Sequence, residues 1–376
     1  MHIAFRADAS LQIGTGHVMR CLTLADAARE RGARCTFLCR PLAGNLLNLV
    51  TERGHQALSL SPRAGNACPK HEDPAHAAWL GTDWTTDAED TGRALEAVLD
   101  RHQLDWLIVD HYALDWRWET ALRSYCERLM VIDDLADRPH QADLLLDQNL
   151  GRESQDYAGL VPAHCELLIG PQYALLRPEF AALRGYSLQR RKQSALKQIL
   201  ISMGGVDQTN ATGHVLSALS CCALPKDCRI SVVMGLAAPW LKQVRDQAHN
   251  MPWPTDVRVN IGDMAARMAN SDLAFGAAGS TSWERCCLGL PTLMVVLADN
   301  QKYAAAHLKH AGAADCMQLD AELEMRLVER TRQLLNNFAE LNEMACSASR
   351  ITDGEGVARV NSAMQLCLQR RAGTMQ

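Results

Sequence analysis

Ile3-Ala4-Phe5, followed by Gly14-Thr15-Gly16-His17-Val18-Met19-Arg20, is the stretch whose reading decides the fold. The apolar run predicts a short strand. Beyond it Val18, Cys21, Leu22, Ala25 and Ala28 recur at three- and four-residue steps, which predicts a helix from about His17 to a stop at Gly32. Strand, glycine turn and helix in that order set His17 at a helix start. Unpaired backbone N–H groups there carry partial positive charge, disfavour imidazolium and leave the ring able to accept a proton. Gly14 and Gly16 allow a tight turn and leave room for a ligand beside the ring. A simple capping role fits the same position. Two familiar nucleotide motifs do not: Arg20 stands where the dinucleotide fingerprint needs glycine, and no Gly-Lys-Ser/Thr follows for a P-loop.

Working outward, strand and helix alternate with the regularity of a parallel sheet. Residues 35–39 and 57–60 predict strands and residues 45–53 a helix; a polar loop carries Pro62, Gly65, Pro69 and Pro74. A helix near 88–99 precedes the run 106–110, which ends in Asp110-His111-Tyr112. Open α/β sheets place ligands beyond the carboxyl ends of their strands, so these three residues are expected beside His17. A helix at 116–125 and strands at 129–133 and 144–147 follow. Asp133, Asp134 and Asp147 invite a paired-carboxylate reading, set against the commoner capping of the next turn. The stretch 151–184 is irregular, and the basic segment 184–197 reads as a solvated linker.

A second α/β domain is then expected. Residues 198–202 form a strand, and Met203-Gly204-Gly205-Val206-Asp207 a glycine turn before a helix at 211–219. Further strands are predicted at 229–234, 257–261, 273–275 and 292–296, with a mostly helical tail after Glu322. Backbone N–H groups at Gly279, Ser280 and Thr281, with the hydroxyls, could hold a phosphate, and Glu284 could accept from a ribose diol. Thr281 with Glu284 equally fits a ligand-free capping box. The expected domains are 1–184 and 197–376, two Rossmann-like α/β domains facing a central cleft.

A chain of 376 residues with 48% hydrophobic content is globular and long enough for two cores. Its net charge of −5 and lack of a basic run argue against a nucleic-acid partner. No apolar run reaches bilayer length and no signal-peptide pattern opens the sequence, so no membrane partner is expected and the cytoplasm is the expected compartment. The 14 cysteines include no C-x-x-C and read as small apolar residues in a reducing compartment. His307 and His310 lack a third ligand at metal spacing, so no metal is expected.

Taken together, RADASLQIGTGHVMRCLTLA (6–25), WLIVDHY (106–112), LLDQNL (145–150), LISMGGVD (200–207) and FGAAGSTSWERCCLGLPTLMVVLADNQ (275–301) resemble one family. It is the UDP-2,4-diacetamido-2,4,6-trideoxy-β-L-altropyranose hydrolases of pseudaminic acid biosynthesis. More distantly, the second half is similar to the N-acetylglucosaminyltransferase that makes lipid II. The resemblance implies a glycosyltransferase-B-like fold with UDP held by the C-terminal domain, and hydrolysis of a UDP-sugar to UDP and the free sugar without metal or organic cofactor. It implies His17 as the base that activates water for attack with inversion at the anomeric carbon. It further implies substrate contacts from Arg6, Asp8, Gly14, Gly16, Tyr112, Gly205, Gly279, Ser280, Thr281, Glu284, Asn300 and Gln301. The stretch 62–79 and the tail after 318 are longer than in compact members. A UDP-sugar-dependent glycosyltransferase of the same fold, or a UDP-sugar-binding module without catalysis, are the alternatives; the oligomeric state is left open, a monomer included.

Overall fold

A computed structural model describes residues 1–62, 71–99, 102–192, 196–236 and 238–373. Two compact units emerge, residues 1–175 together with 356–376, and residues 176–355.

In the first unit, β1 (His2–Ala7), α1 (Gly16–Glu30), β2 (Arg34–Cys39), α2 (Leu47–Glu52), β3 (Gln56–Ser59), α3 (Trp84–Leu99) and β4 (Leu104–Asp110) succeed one another. Then come α4 (Trp116–Ala121), β5 (Cys126–Ile132), β6 (Leu144–Asp147) and β7 (Glu166–Ile169). The strands form a seven-stranded sheet in the order β3-β2-β1-β4-β5-β6-β7, and every pairing is parallel. Alternation along the strands fills two apolar layers. Ile3 and Phe5 of β1, with Trp106 and Ile108 of β4, pack against Val18 and Leu22 of α1; Ala4, Leu107 and Val109 pack on the other face with Leu95 and Trp118. Chain order reverses between β1 and β4, where Ala7 lies in register with Asp110. At such a switch point the connections leave in opposite directions and open a crevice beyond the strand ends.

The second unit begins with α5 (Pro178–Arg190) and continues through β8 (Gln198–Ser202), α6 (Ala211–Ser220), β9 (Arg229–Met234), α7 (Leu241–His249), β10 (Thr255–Val259) and α8 (Met264–Asn270). It is completed by β11 (Leu273–Ala277), α9 (Thr281–Cys287), β12 (Thr292–Val296), α10 (Lys302–His310), β13 (Asp315–Gln318), α11 (Leu323–Asn336) and α12 (Phe338–Ser349). Its six strands are ordered β10-β9-β8-β11-β12-β13, all parallel. The switch point here falls between β8 and β11.

Three expectations are corrected. The last helix, α13 (Gly356–Gly373), belongs to the first unit, not to a second domain running to residue 376: Val360, Ala363, Met364 and Cys367 share the core of Val18 and Leu22. The 184–197 segment is no solvated linker. Its first half, residues 184–190, is part of α5, and its arginines satisfy carbonyls left open at helix ends. Arg184 donates to the carbonyls of Cys287 and Ser349, and Arg191 to those of Met268 and Leu288. The stretch 151–184 contains β7 and the start of α5, which the periodicity did not separate. Of the polar loop, Gly65 and Pro69 lie outside the described residues. Among the described residues every cysteine is a free thiol, and no helix is long and apolar enough to cross a membrane.

Candidate functional site

Ser10 and Gly14 close a small antiparallel bridge, with the Gly14 N–H donating to the Ser10 carbonyl at 2.8 Å. The turn drives Gly14 to a φ of +81°, a conformation that costs other residues a steric clash. It delivers the chain into α1, whose second residue is His17. The imidazole Nδ1 lies 2.6 Å from Asp110 Oδ1 at the end of β4. Arg20, one turn further along α1, donates its Nε and Nη2 to both oxygens of that carboxylate at 2.6 Å and its Nη1 to Asp134 at 2.7 Å. Tyr112 donates its hydroxyl to the same Asp134 oxygen at 2.8 Å and meets the His17 ring edge-on, centroids 4.6 Å apart.

The network assigns the tautomer. Burial pulls the Asp110 carboxyl upward, but the guanidinium of Arg20 outweighs it and, with His17, holds the group well below the usual carboxylate range. An ionised Asp110 accepts the Nδ1 proton, so the neutral tautomer of His17 carries its lone pair on Nε2. The same constellation holds the Tyr112 phenol protonated: burial and then Asp134 push its pKa well above the ordinary value.

The other expected residues fare unequally. Arg6 and Asp8 are completely buried. Arg6 is bonded to Asp8 and, through two nitrogens, to Asp87, and Asp8 also accepts the backbone N–H of Arg40 at 2.7 Å. Their polar atoms are committed inside the fold, so they form a floor beneath the strand ends rather than a surface open to a sugar. His111 belongs to that floor, its Nε2 3.4 Å from Asp8. The paired-carboxylate reading resolves into separate duties. Asp133 caps a turn through the Ala136 N–H and pairs with Arg138, while the Tyr157 hydroxyl bridges Asp133 and Asp147 at 2.9 Å each. Burial, aided by Asp134, pushes Asp147 up to about 7.

Sequence reading did not single out Arg20 or Asp134 for this cluster, nor two half-buried rings beside it. The rings of His76 and Trp79 meet at a tilt of 41° with centroids 4.3 Å apart, and approach Tyr112 at 5.5 and 5.9 Å. Arg20 had a readable signal, since positions three apart on a helix share a face. The rings come from a distant loop and had none.

In the second unit the turn after β8 carries Gly204 at φ +89°, and Asp207 accepts the backbone N–H groups of Ala211 and Thr212, capping α6. The Gly205 carbonyl lies so close to Gly235 that a Cβ there would stand 2.0 Å from it. After β11 the chain turns through Ala278, Gly279 and Ser280 into α9. No capping box forms: Ser280 occupies the cap without a side-chain bond, and the Thr281 hydroxyl accepts from Arg285 at 3.0 Å. Among the described residues the backbone N–H groups of Gly279, Ser280 and Thr281 have no hydrogen-bond partner. Gln301, anchored by the Leu297 N–H at 3.0 Å, brings its amide nitrogen to 4.0 Å from the Cβ position of Gly279, with Asn300 preceding it in the same short turn. Glu284 is half-buried one turn into α9, where burial pushes its carboxyl up to about 7 against the pull of Arg177 and Arg285. His307 bonds the Tyr303 carbonyl, and no group of three potential metal ligands occurs among the described residues.

Residues 198–359 match the glycosyltransferase family 28 C-terminal domain. The UDP-2,4-diacetamido-2,4,6-trideoxy-β-L-altropyranose hydrolase of Campylobacter jejuni is 28% identical over 252 residues, 66% of this chain and 76% of that protein. The spore coat polysaccharide biosynthesis protein SpsG of Bacillus subtilis is 27% identical over 381 residues, covering 97% of this chain and 98% of its own. Among solved structures, MurG of Acinetobacter baumannii superposes with a TM-score of 0.69 at 18% identity, over 97% of this chain and 99% of that one. The chain thus has a glycosyltransferase-B-like fold of two parallel-sheet Rossmann-like units, and its residues 198–359 match the glycosyltransferase family 28 C-terminal domain.

Proposed function

We propose that the protein is a nucleotide-sugar enzyme that hydrolyses UDP-2,4-diacetamido-2,4,6-trideoxy-β-L-altropyranose, releasing UDP and the free 2,4-diacetamido-2,4,6-trideoxy sugar. The observation that carries the reading is the 2.6 Å contact between His17 Nδ1 and Asp110, which leaves Nε2 as an oriented base at the first unit's switch point. In this reading His17 takes a proton from water as that water attacks the anomeric carbon, and Asp110 steadies the imidazolium that forms. Tyr112 lines the approach to the ring. In the second unit, the amides of Gly279–Thr281 are suited to the charge that grows on a diphosphate as a C–O bond breaks, and Glu284 to a ribose diol. Likeness to the C. jejuni hydrolase supports the choice of sugar.

A sugar transfer to an acceptor other than water is the second reading, favoured by the match to a glycosyltransferase domain. One experiment separates them. Purified protein is incubated with a panel of UDP-sugars, with and without sugar or lipid acceptors, while UDP release is followed and the product anomer read by NMR. Release with water as sole acceptor and an inverted anomer is expected; release only with an added acceptor would replace hydrolysis by transfer.

A further inference from the structure

A mid-strand glycine and a buried cation meet behind the Gly279–Thr281 turn. Gly276 lies inside β11, where glycine weakens a strand and commonly marks a close approach. The approaching group is the guanidinium of Arg285: a Cβ on Gly276 would stand 2.4 Å from its Nη1 and 2.9 Å from its Cζ. Only 2% of Arg285 is exposed. Its Nη2 donates to the Ala277 carbonyl at 2.7 Å and the Ser282 hydroxyl at 3.1 Å, and its Nη1 to the Thr281 hydroxyl. Its Nε has no partner. Among the described residues no carboxylate lies within ion-pair distance, although every other fully buried arginine here, Arg6 and Arg40, has one.

A buried charge without an ion-pair partner is unfavourable, and the Arg285 guanidinium reaches back from the last turn of α9 to Thr281 at its start, where the helix dipole is also positive. Hydrogen bonds to neutral oxygens brace the turn without cancelling the charge. Burial draws the Arg285 pKa down to about 10, still high enough to keep the group charged near neutral pH. A strand position kept empty to hold a cation with no ion-pair partner behind the Gly279–Thr281 amides, and with only the protonatable carboxyl of Glu284 in its field, suits an anion that arrives with the ligand.

We propose that Arg285 is the positioning residue for a diphosphate: its field supplies the missing positive charge, and its bond to Thr281 aims that hydroxyl at the same anion. The group acts through Thr281 and across a short, low-dielectric gap, without itself touching the ligand. This rests on the nucleotide-sugar reading for the identity of the ligand, but the probe can be simpler than the substrate.

The test measures thermal shift and calorimetric affinity of the full chain for inorganic diphosphate, UDP and uridine, in wild type, Arg285→Met, Arg285→Gln and Arg285→Lys. Arg285→Met is expected to lose roughly tenfold or more in diphosphate and UDP affinity while leaving the uridine response unchanged. It should melt no lower than wild type when no ligand is present, because the buried charge is gone. Arg285→Gln, which keeps a donor for the Ala277 carbonyl, should lose affinity to a similar degree; Arg285→Lys, which keeps the charge, should recover part of it. Equal diphosphate affinity in wild type and both neutral variants would overturn the proposal. So would a parallel loss of uridine response, which a purely structural brace predicts. Wild type that binds diphosphate through Arg285 but ignores UDP would sustain this inference and sink the nucleotide-sugar reading; wild type that binds neither would remove both.

Discussion

At the scale of single residues, the proposed hydrolysis rests on which nitrogen of His17 carries the proton. Asp110 determines that, and Arg20 keeps Asp110 ionised. His17→Asn or His17→Ala should therefore fold normally, bind UDP with unchanged affinity and lose turnover by roughly 10² or more, the usual cost of a missing general base. Asp110→Asn should approach the same loss, because the neutral amide no longer selects the Nδ1 tautomer or steadies the imidazolium. Since both residues act as one unit, the double variant should fall little below the worse single one, not to the product of the two. Steady-state rates on the released UDP test this; wild-type turnover in either single variant would make the histidine a structural residue.

At the scale of elements, α9 shows how a short helix differs from the motif written in its sequence. Thr281 and Glu284 spell a capping box, yet the Thr281 hydroxyl is taken by Arg285 and Glu284 is left half-buried with its carboxyl pushed up to about 7 from an ordinary 4.5. The sign follows from linkage: the folded state holds a proton there that the unfolded state has released, so this contribution to stability is present at low pH and is lost as the pH rises through about 7. Compared with wild type, Glu284→Gln should show a smaller fall in melting temperature from about pH 5 to about pH 8. In the proposed role of Glu284, ribose hydroxyls donate best to the ionised carboxylate, so UDP affinity of wild type should strengthen as the pH passes about 7, and that of Glu284→Gln should be weaker and flat. Calorimetric titration at several pH values reads both. A pH-independent wild-type affinity would take Glu284 out of the ribose site.

For the whole molecule, the notable feature is that α13 ends the chain but completes the first unit. Val360, Ala363, Met364 and Cys367 lie in the core that also holds Val18 and Leu22 of the helix carrying His17. Removing them at roughly 1–2 kcal/mol per side chain approaches the whole stability of an ordinary domain. A chain stopped at Glu355 should expose the first unit to limited proteolysis and lower its melting temperature sharply, while residues 176–355 stay protected. Unchanged protease resistance of residues 1–175 would show that α13 only decorates the surface.

What the sequence determined by itself was local and periodic. Val18, Cys21, Leu22, Ala25 and Ala28 could only make an amphipathic helix, the glycines before them could only turn, and apolar runs such as 198–202 and 292–296 became strands at those same positions. The two-unit parallel architecture followed, and so did the placing of His17 beside Asp110 and Tyr112, because strand ends in such sheets converge on the switch point. The tertiary structure alone decided what long-range pairing decides. It showed that Arg6 and Asp8 bond each other and Asp87 underneath the site, that Arg20 and Asp134 complete the His17 cluster, and that short strands such as β13, four residues without an apolar pattern, exist because β12 offers an edge. A charge's partner and a terminal helix's neighbour depend on contacts across a hundred residues or more, and neither propensity nor spacing carries that information.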